Sequence, residues 1–154
     1  MKNPAIKILY VDDEVNNLTA FKSSFRKKFD IKVASTAAEA REILKTTDIN
    51  VILTDVRMPK ETGIQFLESI VNEFPDPIKL VVTGYSDIQA VIDAINTGQV
   101  FRYITKPWNE TELGEIIEKA YKVFERKQEY KAQNEKLRRT NEELEFQLRQ
   151  FLLD

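Results

Sequence analysis

Three aspartates and a lysine stand out because each follows a short apolar run with the composition of a buried strand. Asp12 and Asp13 follow the first run, Asp55 the third and Lys106 the fifth, and Thr83 follows the fourth. Carboxylates beside an ammonium and a hydroxyl can hold a divalent cation and a phosphoryl group, and one carboxylate can be the nucleophile. The spacing therefore predicts phosphoryl chemistry if the fold brings these residues together.

Five apolar runs alternate with helical patterns along the chain. The first and third runs are nearly continuously apolar, as in strands buried on both faces of a parallel sheet, and the fifth alternates like an edge strand. Strict alternation predicts an α/β fold with a doubly wound, five-stranded parallel sheet and helices on both faces. The predicted strands are Ile6–Val11, Ile31–Ala34, Val51–Thr54, Lys79–Val82 and Val100–Ile104.

Helix starts are marked by capping residues. An apolar stripe predicts a first helix that reaches Phe29, and a second stripe predicts a helix around Leu67 to Phe74. Capping boxes join Thr36 to Glu39, Thr62 to Gln65 and Ser86 to Gln89, and Asn109 with Glu112 opens the last helix.

The predicted topology gathers the polar residues at one edge. In open parallel sheets the site lies outside the carboxyl ends of the strands, where the acidic side chains at 12, 13 and 55 would converge. Two carboxylates about 4 Å apart repel by about 4 kcal/mol at an effective dielectric of about 20, so a cation is expected among them. All-oxygen ligation with room for water suits Mg²⁺, with Mn²⁺ as a substitute.

Four motifs together resemble the response-regulator receiver family of two-component signal transduction. The resemblance covers about residues 5–122 and implies a flavodoxin-like sheet of strand order 2-1-3-4-5. The motifs are Val11-Asp12-Asp13-Glu14, Asp55-x-x-Met58-Pro59-x-x-x-Gly63, Val82-Thr83-Gly84 and Tyr103-x-x-Lys106-Pro107.

The resemblance assigns the metal site and the phosphoacceptor. It implies that Asp55 accepts the phosphoryl group. It also implies that Mg²⁺ binds to Asp12, Asp13, Asp55 and the backbone carbonyl of Arg57.

The resemblance also assigns the residues that respond to phosphate. Thr83 is expected to bond a phosphoryl oxygen, Lys106 to pair with the phosphoryl group, and the Lys106–Pro107 peptide to be cis. Tyr103 has the position of the family's aromatic switch, a ring expected to swing inward when Thr83 moves.

The function implied is a signalling switch rather than an enzyme. Asp55 would take its phosphoryl group from a sensor histidine kinase or a phosphotransfer protein. The change would pass through the face of helix four, strand five and helix five to a C-terminal helix or a further output domain. Two alternatives are a receiver-like dimerisation scaffold that never takes phosphate and a phosphohydrolase of the haloacid-dehalogenase type. Enzymes of that type have the motif Asp-x-Asp at the nucleophile, whereas Asp55-Val56-Arg57 has no second acid.

The last third of the chain has a different composition. No Gly or Pro follows Gly114, and Glu, Lys, Arg, Gln and Asn dominate, which predicts one long helix. We expect a receiver domain at 1–122 and a helical extension at 123–154 that joins two chains in a parallel coiled coil, with Asn134 and Asn141 at core a positions. A single fraying helix is the alternative. The predicted d positions are Ile116, Val123, Tyr130, Leu137, Leu144 and Phe151.

Composition excludes several classes of site. The 154 residues contain no Cys and no His, which rules out disulfides, thiolate metal sites and imidazole ligands or bases. The net charge of −2 gives no reason to expect direct binding to nucleic acid. No run approaches the roughly 20 apolar residues of a membrane span. A cytoplasmic protein without a membrane segment is expected.

Overall fold

The computed structural model describes residues 5–153, apart from the side chain of Tyr85. The strands are β1 Ile6–Val11, β2 Phe29–Ala34, β3 Val51–Asp55, β4 Ile78–Thr83 and β5 Arg102–Thr105. The helices are α1 Val15–Phe25, α2 Ala37–Thr46, α3 Gly63–Ile70, α4 Ile88–Asn96 and α5 Glu110–Leu153, and a 3₁₀ turn, Tyr85–Asp87, precedes α4. All strand pairs are parallel, in the order β2-β1-β3-β4-β5. The predicted fold and the strand order implied by the resemblance are confirmed.

The sheet is covered on both faces, which is why its central strands are apolar throughout. Every residue of β3 and β4 is buried. One face packs on α1 and the start of α5, where Phe21 and Phe25 meet Leu113 and Ile117. The opposite face packs on α2, α3 and α4. Burying each large apolar side chain contributes about 1.5–3 kcal/mol, so these two layers hold the strand ends in a fixed relation.

The starts of two strands differ from the prediction by two residues, and the other boundaries of the predicted strands differ by one residue at most. β2 begins at Phe29, which pairs with Ile6 of β1, and α1 already ends at Phe25. Phe29 therefore fills the core from the sheet, although its spacing also fits the helical stripe. β5 begins at Arg102 rather than Val100, because the Val100 amide donates back to a carbonyl at the end of α4.

The predicted helix starts are mostly, but not all, correct. Thr62 and Gln65 form a complete capping box, and the Asn109 side chain accepts from the Glu112 amide at 3.0 Å. Thr36 accepts from the Glu39 amide, but the Glu39 carboxylate bonds Ser35 rather than closing the box.

The helix start predicted at Ser86 is wrong. α4 begins at Ile88, with Asp87 at its N-cap position, and the preceding residues form the 3₁₀ turn. The predicted stripe to Phe74 is also too long, since α3 ends at Ile70.

The C-terminal helix α5 belongs to two compact units of the chain. The first unit ends at Phe124 and includes Leu113, Ile117 and Ala120 of α5 in its core. The second unit begins at Glu125, and every residue described from Glu129 onward is exposed. Within residues 5–153, none of the helices combines the length and apolarity needed to cross a bilayer.

Gly63 holds α3 against the end of β3, because its amide donates to the Val56 carbonyl and its missing side chain leaves room for the Asp55 carbonyl. A Cβ here would collide with the Asp55 carbonyl oxygen, which is backbone and cannot swing aside. We expect Gly63→Ala to lower the free energy of unfolding by about 1–3 kcal/mol in urea titrations. Gly84→Ala is the matched control, since its Cβ would meet nothing within 4 Å. Equal effects of the two substitutions would contradict this account.

Candidate functional site

The parallel sheet places the predicted polar residues at the carboxyl ends of its strands. Asp12 follows β1, Asp55 ends β3, Thr83 ends β4 and Lys106 follows β5. The backbone closes this edge further, since the Lys106 amide donates to the Thr83 carbonyl at 3.0 Å. Residues far apart in sequence therefore share one edge.

Three carboxylates form a cluster at this edge. One oxygen each of Asp12, Asp13 and Asp55 lies within 4.8 Å of the others, with Asp12 and Asp55 buried and Asp13 exposed. Lys106 Nζ lies 3.0 Å from Asp55 Oδ2 and 3.9 Å from Asp12 Oδ2. One ammonium does not balance three carboxylates, and an exclusively oxygen donor set fits a small hard divalent cation. The exposed side of Asp13 gives such an ion access to water and to the cluster.

Asp12 is held in place by donors that surround its carboxylate. Oδ2 accepts from the Tyr10 hydroxyl at 2.8 Å and from Asn17 Nδ2 at 3.0 Å, and Oδ1 accepts from the Glu14 amide at 3.0 Å. Burial, and then the Asp12 charge, raises the pKa of Tyr10, so its hydroxyl stays a donor. The sequence alone did not predict that Tyr10 and Asn17 support the site. For Tyr10 the available signal was a tyrosine among the aliphatic residues at the end of β1.

Asp55 has one oxygen on the backbone and one on Lys106. Oδ1 accepts from the Val56 amide at 2.9 Å, and the Thr54 hydroxyl donates to the Asp55 carbonyl at 3.0 Å. Burial raises the pKa of the Asp55 carboxyl above its ordinary value; Lys106 and the Val56 amide oppose the rise, and Asp12 adds to it. The folded chain therefore disfavours the charged form of Asp55 unless further positive charge arrives.

The remaining predicted residues make other contacts. The Thr83 hydroxyl donates to the Gly84 carbonyl at 3.0 Å, and Tyr103 is 37% exposed. Arg57 Nε donates to Asp87 Oδ2 at 2.8 Å, a partner that the sequence did not suggest. The Lys106–Pro107 peptide is cis, as the resemblance predicted.

The sequence also matches a known protein family over most of its length. Residues 8–118 match the response regulator receiver domain. The chain belongs to the response regulator receiver family. Receivers are signalling modules of two-component systems, which accounts for an acidic strand-end pocket on a doubly wound sheet.

Individual relatives show how receivers are used in longer proteins. This receiver is 34% identical over 117 residues to the hydrogenase transcriptional regulatory protein HoxA of Bradyrhizobium diazoefficiens, covering 76% of this chain and 24% of that protein. It is 30% identical over 118 residues to the response regulator PilR of Pseudomonas aeruginosa, covering 76% of this chain and 26% of that protein. The chain thus spans about a quarter of the length of these relatives.

Solved structures show the same fold. A structure described as adenylate cyclase from Rhodopirellula baltica has a TM-score of 0.83 at 27% identity, covering 86% of this chain and 98% of that one. A receiver domain described as CheY-like, from Methanospirillum hungatei, has a TM-score of 0.73 at 28% identity, covering 80% and 98%.

The raised pKa of Asp55 predicts how receiver stability depends on pH. The folded chain holds the Asp55 proton more tightly than the unfolded chain, so the free energy of unfolding falls as pH rises from the ordinary carboxyl pKa through the raised one. Without divalent cations at neutral pH, Asp55→Asn should unfold at a higher urea concentration than wild type. The difference should close in acid, below the ordinary pKa.

The exposed carboxylate of Asp93 on α4 provides the control for this measurement. Asp93→Asn removes the same charge and should leave the urea midpoint nearly unchanged. An Asp55→Asn protein less stable than wild type at neutral pH would show that the Lys106 contact outweighs burial.

Proposed function

We propose that this receiver is a phosphorylation-dependent switch in which Asp55 accepts a phosphoryl group. The carrying observation is the buried Asp55 carboxylate, clustered with Asp12 and Asp13 and 3.0 Å from the Lys106 ammonium. An Asp55 oxygen attacks phosphorus and forms an O–P bond as the bond from phosphorus to the donor breaks. With a phosphohistidine donor, the P–N bond breaks and its electrons return to the imidazole.

In this proposal Mg²⁺ is held by Asp12, Asp13, Asp55 and the backbone carbonyl of Arg57, with Mn²⁺ able to replace it. The bound ion neutralises charge on the phosphoryl oxygens. Support comes from the three carboxylate oxygens within 4.8 Å and from the bonds that fix Asp12 on the side facing Tyr10 and Asn17. Lys106 would pair with a phosphoryl oxygen, and its Nζ already lies 3.0 Å from Asp55 Oδ2.

Signal output is proposed to begin at Thr83. Its hydroxyl bonds the neighbouring Gly84 carbonyl, a local partner that a phosphoryl oxygen can replace. Moving Thr83 opens space for the partly exposed Tyr103 ring to turn inward, which shifts the population of the face formed by α4, β5 and α5. The change then reaches the C-terminal helix or an output domain.

The proposed phosphoryl source is a sensor histidine kinase or a phosphotransfer protein, which places the switch in the cytoplasm. The named relatives serve different outputs, since HoxA is a transcriptional regulatory protein and the Rhodopirellula structure is described as an adenylate cyclase. The receiver portion is therefore proposed to carry the phosphate-linked step, with output supplied elsewhere. Direct contact of this receiver with nucleic acid is not part of the proposal.

Acetyl phosphate should label the protein once, in a Mg²⁺-dependent way. Intact-mass measurement should show one added phosphoryl group on wild type and none on Asp55→Asn. Asp12 is also in the cluster, but it lies farther from Lys106 than Asp55 does, at 3.9 Å rather than 3.0 Å, and its oxygens already accept hydrogen bonds from Tyr10, Glu14 and Asn17. Asp93→Asn should be labelled like wild type. Equal labelling of Asp55→Asn would remove Asp55 from this role, and a wild type that takes no label would favour the phosphate-independent scaffold.

The segment 123–154 is proposed to form a parallel two-stranded coiled coil between two copies, beyond a receiver at 1–122. Four large apolar side chains repeat every seven residues and are 56–77% exposed: Tyr130, Leu137, Leu144 and Phe151. Such a stripe is an unusual solvent-facing surface for a single helix, and its seven-residue period is that of a coiled-coil seam.

Polar residues of the same helix favour a dimer over a larger assembly. Asn134 and Asn141 take core a positions, where Asn fixes register and favours two strands at a cost in stability. Ion pairs within the helix join Arg138 to Glu135 and Glu142. Exposed pairs of this kind contribute little because water screens them, so the buried seam must supply most of the stability.

Light scattering at micromolar concentration should give a dimer for the full chain and a monomer for a chain cut after Glu125. The double variant Leu137→Gln/Leu144→Gln should also be monomeric, because it puts polar groups into the seam. Phe146→Gln is the control, since Phe146 is 62% exposed on the same helix but outside the a and d positions. A full-length monomer, with and without beryllium fluoride, would exclude the coiled coil.

A further inference from the structure

An ion pair connects the two loops on either side of the phosphoacceptor. Arg57 lies two residues beyond the end of β3, and Asp87 ends the 3₁₀ turn that follows β4. Arg57 Nε is 2.8 Å from Asp87 Oδ2, with the Arg57 side chain 72% exposed and that of Asp87 21% exposed. Within the described part of the chain, Asp55 pairs with Lys106 and not with Arg57. A second cation thus stands beside the site, held by a carboxylate outside the acid cluster.

Asp87 is bonded to Arg57 instead of capping helix α4. It occupies the N-cap position of α4, yet its side chain accepts no hydrogen bond from the first turn of that helix. Aspartate is among the strongest N-capping residues, and a carboxylate is also favoured by the positive end of the helix. The Asp87 carboxylate therefore has two competing partners: the guanidinium of Arg57 and the amides at the start of α4.

We propose that Asp87 is a positioning residue that withholds Arg57 from the phosphoryl site until an anionic phosphoryl donor competes for the guanidinium. This inference rests on phosphorylation of Asp55. Arginine binds phosphoryl oxygens with paired N–H donors, which gives the incoming phosphoryl donor an advantage over a single carboxylate bonded through Nε alone. An ion pair near the surface favours the paired over the separated state by a factor of no more than about five. Arg57 can therefore readily exchange Asp87 for a phosphoryl group.

The exchange has a consequence for α4. Once Arg57 turns to the phosphoryl group, the Asp87 carboxylate is free to accept from the amides of Gln89 or Ala90 in the first turn of α4. A phosphoryl group at the site would then change the start of α4 as well as the position of Thr83. The 3₁₀ turn before α4 is the form that goes with the Arg57 pair.

A double-mutant cycle at the two positions tests the proposal. Initial rates of labelling by acetyl phosphate with Mg²⁺ at low salt are measured for wild type, Asp87→Asn, Arg57→Gln and the double variant. Asp87→Asn should label about two- to fivefold faster, because it frees the guanidinium without removing it. Arg57→Gln should label more slowly, the double variant should match Arg57→Gln, and added salt should narrow the differences.

The control and the opposing outcomes separate this inference from general electrostatics. Asp93→Asn removes the same charge from α4 itself, where it pairs with no cation among the described residues, and should change the rate little. An acceleration by Asp87→Asn that persists without Arg57, or that Asp93→Asn reproduces, overturns the proposal, as does no acceleration. If wild type takes no phosphoryl group, the proposed function fails and this inference fails with it; a labelled wild type with no coupling removes the inference alone.

Hydrogen exchange supplies a readout that needs no phosphate. Arg57→Gln should slow exchange of the Gln89 and Ala90 amides about fivefold, since the released Asp87 carboxylate caps α4. In the Arg57→Gln/Asp87→Ala variant, exchange should be no slower than in wild type, because alanine has no side-chain acceptor with which to cap α4. Unchanged exchange in Arg57→Gln would show that Asp87 does not move between the two partners.

Discussion

The structure depends on the cost of burying two aspartates beside each other at the carboxyl ends of parallel strands. Asp12 and Asp55 are both buried, and desolvation makes the charged form of a buried carboxyl unfavourable. Tyr10 and Asn17 offset that cost on Asp12 by donating hydrogen bonds, and Lys106 offsets it on Asp55. On Asp55 the compensation is incomplete, since burial keeps the pKa of its carboxyl raised. A cluster of oxygens with too little positive charge beside it is the kind of donor set that a small divalent cation fits.

Rigid and yielding contacts are distributed unevenly around that cluster. The acid residues sit on strands buried on both faces, and α3 is set so close to β3 that position 63 has no room for a side chain. Thr83, by contrast, is held by a neighbouring carbonyl, and the exposed Arg57 side chain is held by a single carboxylate. Weak contacts of this kind contribute little to stability, which lets a ligand redirect them without unfolding the core.

The sequence predicted which residues lie at the site better than it predicted the hydrogen bonds that hold them in place. Parallel topology sends every strand's carboxyl end to one edge, so Asp55, Thr83 and Lys106 could be placed there from strand order alone. Phe29 was assigned to the wrong element because its spacing fits both the helical stripe of α1 and the buried face of β2, and only pairing with Ile6 decides between them. The Arg57–Asp87 pair could not be foreseen, because hydrogen bonds across the fold have no period in the sequence.

The failed helix start at Ser86 shows how a contact across the fold can accompany a departure from local propensity. The segment has the residue types of a helix N-terminus, yet the N-cap position is one residue later, at Asp87, and its carboxylate faces an arginine from another loop. A ligand shifts an equilibrium only by its difference in affinity for the two states, so a switch needs alternatives that are close in free energy. A fully capped α4 would have one strongly preferred start, whereas an N-cap divided between two partners has two comparable ones. On the proposal that Asp87 changes partner, the departure from the capping rule leaves α4 with two comparable starts rather than one.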